Sequence, residues 1–513
     1  MQTDVVTIGE LWDRRAARDP AHVYCRFEDR DWTVGELDER INRLANALLA
    51  QGLVKGDRVA LMLPSHPDHI VAIFALAKAG LVRVPVNVHL KGASLDFVFD
   101  RFEPRAIIAD RAYSEVLAPI VGRLPGLKVV WRGTDAPADF AAIIDAASPA
   151  RPAVSVMADD IIAITPSSGT TGEPKGVLKT DRSLRAGPMG TLALTGARSG
   201  DVLLLWEPLH HGAGVAVLIA AVMEPLTLAM VEKFSASRFW DQVRRYDVTH
   251  IHYLGGILQI LLKQRPSPRD RDHGVRIAWG GGCPADIWPQ FRKRFGVDIR
   301  ECYGMTEASS LTTCNLSGVV GSVGTPMPWF TVRLDDAEGR PVPAGARGEI
   351  VIETSVPGAI FPGYLDNSDA TAKALRPDGF HTGDLGSFDP QGNLYFHGRM
   401  TDSVRCRGEN VSAWEVEHVA AEHEAVEDCA MIGVAADVGE QDIKLFVKPR
   451  AGASIDPQVL SGWLGQRLAP YQNPRYIAVV DEFERTASQR IMKHRLSPRL
   501  DDCWDRAAMA LER

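Results

Sequence analysis

The sequence predicts a mixed α/β plus α+β protein. A large N-terminal domain of parallel sheets flanked by helices carries a small β-barrel-like subdomain, and a small C-terminal α+β domain follows. Three observations carry this expectation. Helical and strand patterns alternate up to about residue 320, which implies parallel strands joined by crossover helices. Gly, Pro and Asp then become frequent and the strands shorten, as in hairpins of an antiparallel or barrel-like unit. From about residue 402 a compact set of helices and strands closes the chain. The expected domains are 1–401, with the β-rich part at about 320–400, and 402–513.

The elements are justified in chain order. Thr33-Val34-Gly35-Glu36 is a capping box, in which a hydroxyl and a carboxylate three residues apart satisfy free backbone amides. Leu37, Ile41, Leu44 and Leu48 then fall on one helical face. Residues 58–63 read as a buried strand, and 69–79 as a helix stopped by Gly80. Strands are expected at 81–86 and 106–109, and short ones at 332–334, 349–353 and 394–397. In the tail, helices are expected near 412–423 and 458–468, with strands near 429–434 and 443–447.

Composition excludes several classes. Apolar residues make up 45% of the 513 and charged residues 24%, so the chain is neither disordered nor a coiled-coil rod. Its 57 basic and 65 acidic residues leave a net charge of −8, which offers no general attraction to nucleic acid or anionic membrane. The seven cysteines are scattered and form no CxxC pair, which argues against a disulfide framework or zinc ribbon. The start of the chain lacks a basic segment followed by an apolar run, so no signal peptide is expected. The most membrane-like stretch, 213–223, falls short of the about twenty residues a span needs. A cytoplasmic protein without integral membrane association is expected.

The richest segment follows an apolar strand: Thr165-Pro166-Ser167-Ser168-Gly169-Thr170-Thr171-Gly172-Glu173-Pro174-Lys175-Gly176. Glycines let a backbone approach an anion and turn its amides inward, hydroxyls add donors, and Lys175 adds positive charge. The chemistry suited to this set is a polyphosphate. It is not a Walker loop, because Pro174 precedes the lysine and Gly176 follows it.

This segment resembles the phosphate-binding signature of the adenylate-forming superfamily, which includes acyl-CoA synthetases, nonribosomal adenylation domains and luciferases. The resemblance runs essentially end to end. It implies nucleotide contacts from Thr165, Ser167, Ser168, Gly169, Thr170, Thr171, Gly172 and Lys175. Pro208-Leu209-His210-His211 resembles a family segment whose histidine, here His211, lies beside the acyl pocket. Trp279-Gly280-Gly281-Gly282-Cys283 is similar to the loop along adenine and acyl group, which implicates Gly281, Gly282 and Cys283. Glu301-Cys302-Tyr303-Gly304-Met305-Thr306-Glu307 is the strongest match. The family tyrosine stacks on adenine, the threonine contacts the α-phosphate and the glutamate helps hold Mg²⁺, a cation that takes hard oxygen ligands.

Further along, Asp384 matches the aspartate that receives both ribose hydroxyls, a task for which a carboxylate has enough acceptor sites. Arg399 matches the arginine at the ribose, and Asp402 the hinge about which a mobile C-terminal domain swings. Gly408, in Arg407-Gly408-Glu409-Asn410-Val411-Ser412, matches a loop that lines the pantetheine tunnel. That stretch is also similar to carnitine/crotonobetaine-type CoA ligases, but it faces CoA rather than acid. By position, the acyl pocket involves Trp206, His210, His211, Gly255, Gly256, Trp279 and Met305. The bulk of Trp206 and Trp279 favours short or compact acids.

One departure stands out. The family ends in Ser-Gly-Lys-Ile, whose lysine bridges carboxylate and ATP. Here the segment reads Ser488-Gln489-Arg490-Ile491-Met492-Lys493. Arginine stays cationic and can clamp carboxylate or phosphate bidentately, but it is longer and planar. Arg490 takes the role, or Lys493 substitutes from one turn on, or adenylation is slow or lost. The resemblance implies an AMP-forming carboxylic acid–CoA ligase using ATP, Mg²⁺ and CoA, with Lys175, His211, Thr306, Glu307 and Arg490 as its working residues, and it is compatible with a homodimer. Two other readings stay open: an adenylation enzyme loading a carrier protein or other acceptor, and a nucleotide-binding homologue with weakened catalysis.

Overall fold

The computed structural model describes residues 6–508, apart from 134–138, 168–174, 255, 286, 337, 400–402, 437–439, 485–490 and 492. Two compact units emerge. The first holds 6–88, 102–166 and 176–398, and the second holds 89–101 and 399–508, with Ser167 and Lys175.

Two large sheets build the first unit. The longer has nine strands, and its interior runs in the order Asp298–Tyr303, Ile277–Gly281, His250–Leu254, Val202–Leu205, Thr227–Met230 and Val23–Phe27, all parallel. Short antiparallel strands close both of its edges. The second sheet runs Lys128–Arg132, Ala106–Asp110, Arg58–Met62, Val82–Pro85, Ile161–Ser167 and Lys175–Thr180, with parallel pairing from the first to the fifth. Parallel strands are covered on both faces and so read as continuous apolar runs, as Val59 to Met62 do.

The helices between them are specified locally. Thr33 and Glu36 close the expected capping box at the head of Val34–Ala50, and Leu37, Ile41, Leu44 and Leu48 are fully buried. A second capping box, Thr7 with Glu10, starts Ile8–Arg18. Pro67–Ala79 ends at Gly80, whose left-handed conformation is the common helix stop. The apolar stretch near 213–223 is the buried helix Gly212–Met223. Among the described residues no helix is long and apolar enough to cross a membrane.

The expected β-rich part is an antiparallel ladder of Phe330–Asp335, Gly348–Thr354, Gly379–Phe388 and Leu375–Arg376, with Leu394–Arg399 paired to Gly379–Phe388. The second unit contains the hairpin Ser403–Cys406 with Glu409–Ser412. It also has a four-stranded sheet ordered Val426–Ala435, Gln441–Pro449, Tyr476–Val479, Trp504–Asp505. Helices Ala413–Ala421 and Pro457–Gly465 bury Val416, Val419, Leu460 and Leu464 in its core.

Candidate active site

The strand Asp298–Tyr303 delivers the strongest motif. Its alternating burial turns Glu301 and Tyr303 inward. The Glu301 carboxylate accepts from the backbone amides of Gly282 and Cys283 and from the Tyr253 hydroxyl. It therefore clamps the Gly281-Gly282-Cys283 loop to the neighbouring strand. Burial pushes its carboxyl up to about 7, against the pull of Tyr253 and the two amides, which favour the charged form. Gly280 must be glycine, because a Cβ there would stand 1.8 Å from the Tyr253 carbonyl oxygen. Gly304 is under the same constraint from the Ser310 carbonyl oxygen, at 2.1 Å. Cys302 directs its thiol to the Gly280 carbonyl at 3.1 Å.

Tyr303 and Asp384 are far apart in sequence, yet the Tyr303 hydroxyl donates to Asp384 Oδ2 at 2.7 Å. Both are buried, and the Tyr303 ring stacks on Phe396 at 5.7 Å. Asp384 lies on Gly379–Phe388, so the β-rich ladder brings the residue expected at the ribose to the one expected at the adenine.

Thr306 and Glu307 form a short 3-10 turn directly after that strand. The Glu307 carboxylate accepts from the Tyr364 hydroxyl at 3.0 Å, and the Thr306 carbonyl accepts from Lys179 Nζ at 2.6 Å. Ser309 and Ser310 follow with φ of 58° and 69°, a left-handed pair that turns the chain back beneath Thr306. Thr165 and Thr306 line one cavity of about 20 Å³. The strand carrying Thr165 and the turn carrying Thr306 therefore converge. An oxygen-only carboxylate oriented by a hydroxyl is a donor type that fits Mg²⁺, so Glu307 passes that chemical test.

The residues expected at the acyl group fall in two places. His211 is the N-cap of Gly212–Met223, with its ring 4.4 Å from that of His210. Trp206 and Trp279 flank His252, at 6.1 and 4.2 Å between ring centroids, and the Trp206 indole N–H donates to the His252 carbonyl at 2.9 Å. Trp279 is 3% exposed, so it stiffens the wall rather than presenting an open face. Gly256 caps Ile257–Lys263, and Met305 is half-buried beside Tyr303.

In the second unit Gly408 occupies the tight turn of the hairpin with φ of 83°, after Arg407 at 54°. Two successive left-handed residues suit a two-residue hairpin loop. The Gly408 amide donates to Glu440 at 2.7 Å, which pins the turn to its own unit. Lys493 pairs with Glu417 at 2.6 Å. Lys175 begins its strand, and Ser167 and Arg399 end theirs. Ser168, Gly169, Thr170, Thr171, Gly172, Gly255, Asp402 and Arg490 lie outside the described residues.

Residues 12–365 match the AMP-binding enzyme family, and residues 415–490 match the AMP-binding enzyme C-terminal domain. The chain belongs to the AMP-binding enzyme family. Among its relatives is a crotonobetaine/carnitine–CoA ligase of Salmonella paratyphi C (strain RKS4594). The two are 30% identical over 92% of this chain and 94% of that one. The AMP-binding fold is also seen in solved structures. The o-succinylbenzoate CoA synthetase (MenE) of Bacillus subtilis, a double mutant bound with the product analogue OSB-NCoA, aligns with a TM-score of 0.85 at 23% identity. That alignment covers 96% of this chain and 98% of that one, and it is a likeness of fold. ATP-bound MatB from Rhodopseudomonas palustris aligns at 0.71 and 28% identity, over 95% and 98% of the two chains.

Three features of this candidate site do not stand out from the sequence motifs. Arg83 is the single charge of an apolar strand, and Lys179 is a second lysine in the strand that Lys175 begins, a signal that was available there. The Glu207–His252 pair is buried at 1% and 3% exposure, and only the pairing of strands brings it together. The Tyr253 hydroxyl on Glu301 likewise joins residues with no sequence relation.

Proposed function

We propose that this protein is an AMP-forming carboxylic acid–CoA ligase. The observation that carries the reading is the bond from Tyr303 to Asp384, because it joins two of the positions that an AMP-forming enzyme uses for adenosine. A carboxylate oxygen attacks the α-phosphorus of ATP, the bond to the β-phosphate oxygen breaks, and pyrophosphate leaves. The CoA thiolate then attacks the acyl carbon, the carbon–oxygen bond to the phosphate breaks, and AMP leaves with that oxygen. The protein's work is to orient two anions and stabilise charge as it shifts.

In this reading Asp384 takes the ribose hydroxyls, with Arg399 beside it, and Tyr303 stacks on the adenine beside the loop held by Glu301. Thr306 contacts the α-phosphate, and Lys175 and Arg490 supply positive charge. His211 borders the acyl group, Gly408 lines the CoA path, and Asp402 is the hinge. Glu307 would hold Mg²⁺, which neutralises phosphate charge when bound. Relatives named as CoA ligases support CoA as the acceptor.

The test is the adenylation half-reaction measured as acid-dependent ATP–pyrophosphate exchange, followed by AMP release with and without CoA. Expected are exchange in the absence of CoA and AMP release that needs it. AMP release with a carrier protein but not with CoA would overturn the acceptor. In Arg490→Ala, exchange is expected to fall by about 100-fold, the scale of one lost charge stabiliser, whereas Lys493→Ala stays near wild type. The reverse pattern would assign the role to Lys493.

A further inference from the structure

The cavity shared by Thr165 and Thr306 holds two buried cations. Arg83 sits on the central strand Val82–Pro85, opposite Ala163 in the parallel ladder, and so shares a face with Thr165. Lys179 sits on Lys175–Thr180. Each is 4% exposed. Long charged side chains are almost never so buried without a partner. Among the described residues neither forms an ion pair. The Arg83 guanidinium donates to the Leu209 carbonyl at 3.2 Å, and Lys179 Nζ to the Thr306 carbonyl at 2.6 Å, which leaves most of their N–H donors for something else. Burial lowers Arg83 to about 10, and it lowers Lys179 to about 8, with Glu307 opposing the shift. Burying a charge without a close ion-pair partner is costly, and Glu307 only partly offsets this for Lys179, so two such groups around one space suit an anionic ligand.

The space is built rather than accidental. Gly187 and Gly212 border it, and a Cβ at these positions would stand 2.7 Å from the Ser309 carbonyl and 3.3 Å from Ser310 Oγ. At about 20 Å³ it has room for a small charged head-group and not for the chain behind it. One side is Thr306, and the other is the first turn of the helix that His211 caps. It therefore lies between the residue expected at the α-phosphate and the helix whose cap is expected beside the acyl group.

We propose that Arg83 and Lys179 receive a second carboxylate on the acid substrate, so that this enzyme activates short dicarboxylic acids and rejects betaines. The inference rests on the ligase reading. It separates this chain from the relative named for crotonobetaine and carnitine, because a quaternary ammonium group would meet two like charges here.

The experiment compares kcat/KM for succinate, glutarate and adipate with butyrate, valerate, hexanoate and carnitine. The chains are wild type, Arg83→Met, Lys179→Met and Lys179→Arg. Expected is a preference of about 100-fold or more for a dicarboxylate over the monocarboxylate of equal length, because the monoacid leaves buried donors unpaired. Each methionine variant cuts that preference at least about tenfold, and Lys179→Arg keeps part of it. Wild-type use of monocarboxylates or carnitine at equal or higher kcat/KM overturns the proposal while leaving the ligase reading intact. An equal loss for every acid with a raised KM for ATP would assign the anion to the nucleotide and also overturn it. If no acid is activated, the ligase reading fails and binding decides the pocket. Thermal unfolding at constant ionic strength should then rise with succinate or glutarate in wild type and not in the methionine variants. No such rise, or the same rise with chloride, overturns it.

Discussion

Asp384 shows how one side chain links the two halves of the proposed nucleotide site. Its carboxylate is 3% exposed and takes the Tyr303 hydroxyl on one oxygen. Asparagine keeps an acceptor for that hydroxyl but halves the acceptor capacity offered to a ribose diol. Asp384→Asn is therefore expected to raise KM for ATP about tenfold or more while unfolding within a few degrees of wild type. An unchanged KM would place the ribose elsewhere. Tyr303 and Asp384 were both legible from their motifs, but their bond was not, because it depends on how the β-rich ladder folds toward the large sheet. Lys179 is the opposite case: the charge is plain in the sequence, and its meaning appears only once Thr306 and the cavity are seen beside it.

The strand pair Ile277–Gly281 and Asp298–Tyr303 anchors the loop proposed to lie along adenine. Its clamp is Glu301, with a folded-state carboxyl near 7 and an ordinary value near 4.5. Between those values the folded protein holds a proton that the unfolded chain has released, so this group makes stability fall as pH rises from about 5 to 7. The effect is at most roughly 3 kcal/mol. Glu301→Gln has no proton to lose. The difference in melting temperature between wild type and Glu301→Gln is expected to move in the variant's favour across that window. Parallel profiles would show that the carboxyl is already ionised at pH 5. Elements with local signals were readable, such as the helix begun by Thr33 and Glu36 and stopped cases like the one at Gly80. The capping box of Thr7 and Glu10 carries the same signature and was overlooked.

At the scale of the whole molecule, two units divide the chemistry. In the proposed mechanism the first carries Tyr303, Asp384, Glu307 and His211, and the second carries Lys175, Arg399, Gly408 and Lys493. The net charge of −8 does not show any of this. In the proposed reading anionic ligands are met by buried cations and backbone amides, so overall charge never had to announce them. Fold class was legible because alternating patterns report crossover topology directly. The proposed substrate charge was not, since it depends on two strands placing Arg83 and Lys179 around one cavity.

The most direct measurement of the central claim follows an oxygen atom. The acid that reacts fastest is labelled with ¹⁸O in its carboxylate and turned over with ATP and CoA, and the phosphorus products are resolved by mass. Attack on the α-phosphorus followed by cleavage at the acyl carbon leaves one labelled oxygen on AMP, with pyrophosphate unlabelled. Label in inorganic phosphate alongside ADP, or AMP free of label, would contradict an acyl-adenylate route.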